Sequence, residues 1–141
     1  MADAGLLLEL VRERKMARIE GRTEKAPAPV AAYSQAVRIG STIAIAGQAG
    51  FDPETGELAG PDVGAQIVQT FKNIEAALDA CGAALDDVIR VDVYLSTLSD
   101  FAAMNEQYSR IFSAPYPART TVGVKLPPGM KVEITVLAVQ N

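Results

Sequence analysis

Apolar and polar residues follow two different spacings along this chain. Short stretches that alternate or are almost wholly apolar predict strands at residues 35–39, 42–47, 88–95, 118–125 and 131–139. Two longer stretches repeat their apolar residues every three or four positions, which predicts helices at about residues 62–82 and 99–112. The order β-β-α-β-α-β-β predicts an α+β fold in which two helices pack on one face of a mixed sheet.

Turn and capping residues support these boundaries. Gly40-Ser41 predicts a hairpin turn between the first two strands, and Gly82 is the expected end of the helix at about residues 62–82. Ser99 is expected to cap the second helix, and Pro127-Pro128-Gly129 connects the last two strands. Alternation in the third strand predicts one face formed by Ile89, Val91, Val93 and Leu95.

The first 26 residues differ in character from the rest of the chain. Residues 4–20 predict a short, imperfectly amphipathic helix, and residues 21–29 contain Gly21, Pro27 and Pro29, which is typical of a linker. We therefore expect residues 1–26 to form a helical appendage and linker, frayed or docked on a neighbour, and residues 27–141 to form the domain. A specific partner or membrane contact of the appendage is the alternative.

The last strand predicts a partly apolar surface that needs a cover. Val132, Ile134, Val136 and Ala138 share one face of it, which leaves Glu133, Thr135, Leu137 and Val139 on the other. A sheet whose helix-free face is half apolar is usually covered by another molecule, and a homo-oligomer is the simplest cover. A cyclic homo-oligomer would place Glu133 near a subunit boundary.

Composition excludes much familiar catalytic chemistry. The chain has 141 residues, enough for one domain, with no histidine, no tryptophan and the single cysteine Cys81. The lack of histidine excludes Ser-His-Asp and Cys-His catalysis, a histidine base and zinc sites built on imidazole. The net charge of −4 disfavours nucleic-acid binding.

The expected location is the cytoplasm. The longest apolar runs fall far short of the ~20 residues that span a bilayer, and residues 1–20 lack a signal-peptide core. Cys81 cannot form an internal disulfide, which fits a reducing compartment, and we expect it to be a packing residue.

Arg119 and Glu133 are conspicuous charges on mostly apolar strands. They can form a surface ion pair across adjacent strands, worth ~0–1 kcal/mol, or they can carry function. Tyr33 and Asn105 have similar alternatives: Tyr33 can fill the core, and Asn105 can be a solvated helix position.

Several ordered segments resemble the reactive intermediate (imine) deaminase family of YjgF-type, or Rid, proteins. The similarity covers roughly residues 26–140. Any one segment alone would be a weak signal, but several segments in the family's order are a strong one. The segments are Ala28-Pro29, Tyr33-Ser34-Gln35-Ala36, Gly47-Gln48, Asp52-Pro53-Glu54-Thr55-Gly56, Asp100-Phe101-Ala102-Ala103-Met104-Asn105, Pro117-Ala118-Arg119-Thr120-Thr121-Val122 and Val132-Glu133-Ile134.

The resemblance implies a chorismate-mutase-like fold, a homotrimer with sites between subunits, and hydrolysis of 2-imino or 2-enamino acids to 2-keto acids and ammonia. It implies neither cofactor nor metal. Substrates such as 2-aminoacrylate arise when pyridoxal-phosphate enzymes eliminate from serine or threonine. The family's carboxylate-binding arginine falls on Arg119 and its water-orienting glutamate on Glu133. Its other cleft residues fall on Tyr33, Gly47 and Asn105, with Thr121 beside them.

Three positions depart from the family pattern and bear on substrate range and rate. Ala46 stands where many members have serine, Thr121 where some have cysteine, and Gly50-Phe51 replaces a proline-containing pair. The missing hydroxyl at Ala46 leaves room for a second hypothesis, a non-catalytic module on the same fold that binds carboxylates or keto acids. An RNA-cleaving or translation-inhibiting role is a third, which the net charge and the missing histidine oppose.

Overall fold

The computed structural model of the protein describes residues 3–141, apart from the side chains of residues 13–16. The α-helices are α1 (Ala4–Met16), α2 (Val63–Asp79) and α3 (Phe101–Ile111). The strands are β1 (Ile19–Gly21), β2 (Ala36–Ile39), β3 (Thr42–Gln48), β4 (Val88–Leu95), β5 (Ala118–Gly123) and β6 (Val132–Val139).

All the strands join one mixed sheet in the order β1-β2-β3-β6-β4-β5. β4 and β5 run parallel, and every other neighbouring pair is antiparallel. From β2 onward the chain follows the predicted order β-β-α-β-α-β-β, so the α+β architecture is confirmed. The last strand in sequence, β6, lies inside the sheet between β3 and β4.

One face of the sheet carries the helices α2 and α3 and holds the core. β6 shows the two faces clearly, because its residues alternate between buried and half-buried along the whole strand. Val132 and Ile134 are wholly buried, as are Ile67 and Ile74 of α2 and Met104 of α3. Glu133, Thr135, Leu137 and Val139 lie on the opposite face, as predicted.

Two local predictions are wrong. Ile89 is 49% exposed, because the pairing of β4 with β6 shifts register between Val88 and Arg90 and turns Val88 inward instead. Ser99 does not cap α3, the helix that it was expected to cap. Its backbone N–H donates to the Thr97 hydroxyl within a short 3-10 turn that precedes α3.

The N-terminal segment is tied to the sheet. The first helix ends at Met16, and residues 19–21 then pair with β2 as an edge strand that sequence reasoning missed. Gly21 lies against the thiol of Cys81, leaving no room there for a side chain. The Gln35 amide donates to the carbonyls of Thr23, Ala26 and Pro27. The domain boundary at residue 26 stays a prediction, but the chain before it is already fixed to the sheet.

The helix α1 presents its leucines to solvent. Leu6, Leu7, Leu8 and Leu10 are between 51% and 71% exposed. In the part of the chain that the structure describes, no helix has both the length and the apolar composition needed to cross a membrane.

The close approach of Gly21 to Cys81 gives a test of the docked edge strand. We expect Gly21→Ala to lower the free energy of unfolding by about 1–3 kcal/mol, because the added methyl group overlaps the sulfur. The loss should be smaller in a Cys81→Ala background, where the sulfur is absent. Urea unfolding of both single variants and the double variant measures the difference. A Gly21→Ala variant as stable as the wild type would contradict the docked position of β1.

Candidate functional site

The six predicted site residues form two separate groups in one chain. Arg119, Asn105 and Thr121 lie on the helix-covered side of the sheet near its β5 edge. Tyr33, Gly47 and Glu133 lie around a cavity at the helix-free side. The sheet topology separates the two groups.

The parallel pairing of β5 with β4 sets the direction of Arg119. Arg119 is opposite Val91, a wholly buried residue of the helix-covered face, so the two side chains share that face. The Arg119 Nη1 donates to Asn105 Oδ1 of α3 at 2.8 Å. The guanidinium carbon lies 4.6 Å from the ring centroid of Tyr108 and 5.5 Å from that of Phe101. Neutral and aromatic groups therefore hold this cation in place.

The charge of Arg119 remains available to a ligand. Asn105 occupies one of the five guanidinium N–H donors, and the ion pairs between described residues are Arg90–Asp92 and Arg110–Glu106. Arg119 borders an open cavity of about 410 Å³. A cation with unused donors beside a cavity is suited to binding a carboxylate.

Tyr108, which lies under the Arg119 guanidinium, is a buried residue of the core. Its ring packs edge-on against Phe71 of α2, with centroids 6.0 Å apart, and at a tilt against Phe112, with centroids 5.0 Å apart, and Arg119 lies over it. Burial raises the pKa of Tyr108 to about 12, although the charge of Arg119 lowers it in part. The phenol is therefore neutral at physiological pH, and among the described residues its hydroxyl has no hydrogen-bond partner.

Thr121 follows Arg119 on the same face of β5. It lies opposite Val93, another buried residue, and is itself half-buried. The structure thus brings Arg119, Asn105 and Thr121 together on one side of the sheet.

Glu133 lies on the opposite face of the sheet. It pairs with Tyr94 in the ladder between β6 and β4, and its side chain reaches Gly47 of β3. A Cβ atom at Gly47 would lie 3.1 Å from Glu133 Cδ, so the absence of a side chain at Gly47 gives the carboxylate its space. The register of β3 and β6 is irregular between Ile45 and Gln48, next to this contact.

A cavity of about 530 Å³ opens beside Glu133. Its walls are largely apolar, and they come from three loops of the chain. The lining includes Pro27, Val30, Tyr33, Phe51, Pro127 and Met130. Tyr33 is 48% exposed, so the interpretation of Tyr33 as a core-filling residue is wrong. Its hydroxyl accepts a hydrogen bond from the Val30 N–H at 3.3 Å.

The surface ion pair considered for Arg119 and Glu133 does not exist in this fold. β5 and β6 follow each other in sequence, but β4 lies between them in the sheet. Arg119 shares a face with Val91, whereas Glu133 faces the other way. Asn105 is likewise not a free solvated position, because it accepts the hydrogen bond from Arg119.

Two further features bear on what the site can hold. Ala46, which stands where many members of the resembling family have serine, is half-buried and lines a second hollow that it shares with Tyr33. Among the described residues, no three side chains of His, Cys, Asp and Glu lie close enough together to hold a metal ion.

Sequence reasoning missed the three most deeply buried carboxamides of the described residues, those of Gln35, Gln66 and Asn73. Each is at most 1% exposed and bonds to loop backbone. The signal available in the sequence was polar residues at helical spacing on α2, at positions 66, 70 and 73, beside the apolar stripe.

Known proteins resemble this chain over nearly its whole length. The sequence model of the family described as Endoribonuclease L-PSP matches residues 23–140. A RutC family protein of Pyrococcus abyssi is 47% identical over 117 residues, which is 82% of this chain and 92% of that protein. A 2-iminobutanoate/2-iminopropanoate deaminase of Rattus norvegicus is 40% identical over 120 residues, which is 84% of this chain and 88% of that protein.

A solved structure shows the same fold. The crystal structure of RidA from the Antarctic bacterium Psychrobacter sp. PAMC 21119 superimposes with a TM-score of 0.83 at 48% identity, covering 86% of this chain and 99% of that one. The chain therefore belongs to the Endoribonuclease L-PSP family, the family of the YjgF, RutC and Rid proteins.

Proposed function

We propose that this protein is a cytoplasmic hydrolase that converts reactive 2-imino and 2-enamino acids to 2-keto acids and ammonia, with neither cofactor nor metal. The observation that carries the proposal is Arg119, a half-buried cation that is held by Asn105 and two aromatic rings and leaves most of its donors for a ligand. The deaminase name of relatives at 38–40% identity supports the same chemistry.

Arg119 binds the substrate carboxylate in this mechanism. Its planar guanidinium offers two parallel N–H donors that match the two carboxylate oxygens, and its charge persists at any working pH. Because Asn105 already fixes one side of the guanidinium, the substrate meets donors whose direction is set before binding. The bound carboxylate then determines where the neighbouring C=N carbon lies.

Glu133 directs the water that attacks this carbon. The carboxylate accepts a proton as the water oxygen bonds to the carbon and the C=N bond becomes a single bond. The proton then passes to the nitrogen, which gives a carbinolamine with one hydroxyl and one amino group. Glu133 next accepts the hydroxyl proton as the C=O bond forms and returns it to the nitrogen as the C–N bond breaks, so that ammonia leaves. An enamine first becomes an imine by taking up a proton at its β-carbon. One water is consumed for each keto acid and ammonia released.

Two copies of the chain are needed to assemble this site. Within one copy, β5 and β6 are two strand spacings apart, about 10 Å, and Arg119 and Glu133 lie on opposite faces. A small imino acid cannot touch both. The uncovered face also carries Leu137 and Val139, which fits a surface buried between subunits. We propose a homotrimer in which Arg119 of one subunit meets Glu133 of the next.

Arg119 gives the first test of the proposal. We expect Arg119→Ala to lower kcat/KM for 2-aminoacrylate about 10- to 100-fold, mainly through KM, because two charge-assisted hydrogen bonds are lost. The substrate is generated in situ, and keto-acid formation is followed above the rate in buffer. Arg90→Ala, an exposed arginine of β4, is the matched control and should change the rate less than twofold. A wild-type protein that does not exceed the buffer rate would refute the proposal.

A Glu133 variant distinguishes a loss of catalysis from a loss of substrate binding. We expect Glu133→Gln to lower kcat by about 10²–10⁴-fold while KM changes little, because the amide cannot accept the proton of the attacking water. Thermal stabilisation by a 2-keto acid should persist in this variant and vanish in Arg119→Ala. The non-catalytic carboxylate-binding module predicts the same stabilisation with no turnover by the wild type, so the two hypotheses give different results.

Mixing the two inactive variants tests the shared site. In a cyclic assembly, a site is intact when the Glu133→Gln chain supplies Arg119 and the Arg119→Ala chain supplies Glu133. Random exchange of equal amounts makes about one quarter of the sites intact. We therefore expect partial recovery of activity after the two variants are mixed, mildly denatured and refolded together. If the mixture stays as inactive as each variant treated alone, the two-copy site is wrong.

A further inference from the structure

Two fully buried carboxamides of α2 hold two backbone segments at the cavity that Glu133 lines. Gln66 and Asn73 are each 0% exposed and lie seven residues apart, on the same face of the helix. Neither has a side-chain hydrogen bond to Glu133. Each instead bonds to a loop segment that leads to Glu133 or to Gly47, the residue that Glu133 touches.

Gln66 fixes the start of β6. Its Nε2 donates to the carbonyls of Gly60 and Gly129, both at 2.9 Å, and its Oε1 accepts from the Lys131 N–H at 2.8 Å. These bonds enclose the turn before β6 on both sides. Glu133 follows Lys131 by only two residues, so Gln66 sets the point from which the Glu133 strand begins.

Asn73 fixes the segment that follows Gly47. Its Nδ2 donates to the Ala49 carbonyl at 3.0 Å and to the Phe51 carbonyl at 2.8 Å. Its Oδ1 in turn accepts from Gln69 Nε2 at 3.0 Å. The backbone of Gly50, between the two bonded carbonyls, lies so close to Gln66 that a Cβ atom there would be 2.6 Å from the Gln66 carbonyl oxygen.

Glu133 depends on this backbone because other restraints are scarce. Among the described residues, its carboxylate takes part in neither of the ion pairs, and its side chain lies against Gly47, which has no side chain of its own. A group that must direct a water has to be placed within a fraction of an ångström, and an error of 1 Å can lower a rate about 100-fold. The fixed backbone near Glu133 is therefore the restraint that can place its carboxylate.

We propose that Gln66 and Asn73 are positioning residues that hold the Glu133 carboxylate at the right place for water attack. They act through residues 129–131 and 49–51, and α2 is the rigid base to which both segments are attached. This inference rests on the proposed function, because it assigns the two residues to the Glu133 half of that site and not to the Arg119 half.

The test uses variants that keep volume and remove hydrogen bonds. We expect Gln66→Met and Asn73→Leu each to lower kcat about 10- to 100-fold, with KM and the affinity for a 2-keto acid within about twofold of the wild type. Thr70→Val is the matched control. Thr70 is 0% exposed and lies between the two carboxamides on α2, but its hydroxyl donates to Gln66 O of its own helix and not to a loop. It should leave kcat within about twofold.

Assays run at least 20 °C below each variant's melting temperature keep the folded fraction near one. A kcat that is unchanged in both carboxamide variants, or an equal fall in Thr70→Val, would overturn the inference. If Gln66→Met does not fold, Gln66→Glu replaces it. This variant keeps the oxygen that accepts from Lys131 N–H but loses the donors to Gly60 and Gly129, and its kcat should still fall.

A spectroscopic measurement separates this inference from the proposed function. The ¹³C resonance of the Glu133 carboxyl, assigned by its loss in Glu133→Gln, should shift or broaden in Gln66→Met and Asn73→Leu and stay unchanged in Thr70→Val. This readout needs no turnover. An inactive wild type with the shifted resonance would refute the deaminase proposal alone. Unchanged resonances in both carboxamide variants would refute the positioning role even if the wild type is active.

Discussion

The pairing of β6 with both β3 and β4 is the constraint on which the rest of the structure depends. Because β6 enters the middle of the sheet, β5 is left to pair with the outer edge of β4. β5 returns to that edge through α3, so the pair is parallel, as expected for a strand–helix–strand connection. This arrangement turns Arg119 toward the helices and leaves Glu133 on the uncovered face.

The same connection explains how the fold accommodates a half-buried cation. α3 crosses between β4 and β5 and places Asn105, Tyr108 and Phe101 against Arg119. An acidic partner would neutralise the guanidinium and compete with an anionic ligand, whereas a neutral amide and two ring faces orient it without cancelling its charge. Tyr108 also packs on Phe71, so the position of Arg119 is linked to the packing of α3 on α2.

Sequence patterns predicted the elements well and their spatial relations less well. Alternation is strong in β4 and β6, so their bounds agree with the prediction to within one residue. Sequence order alone places β5 and β6 next to each other, as consecutive strands usually are. No local signal in the sequence shows that β4 lies between them. β1 was missed because three residues are too few to show a period. Ile89 was misplaced because a register shift reverses alternation without a sequence mark.

α2 connects the stability of the fold to the geometry of the site. Its apolar stripe, which includes Ile67 and Ile74, packs into the core, while the neighbouring stripe of Gln66, Thr70 and Asn73 is equally buried but polar. Loop carbonyls that are buried or partly buried need donors, and apolar residues at these positions would remove the side-chain donors of the Ala49, Phe51 and Gly129 carbonyls. The loops near Glu133 can therefore be irregular, as a cavity requires, and still be fixed, since a regular helix satisfies their backbone groups.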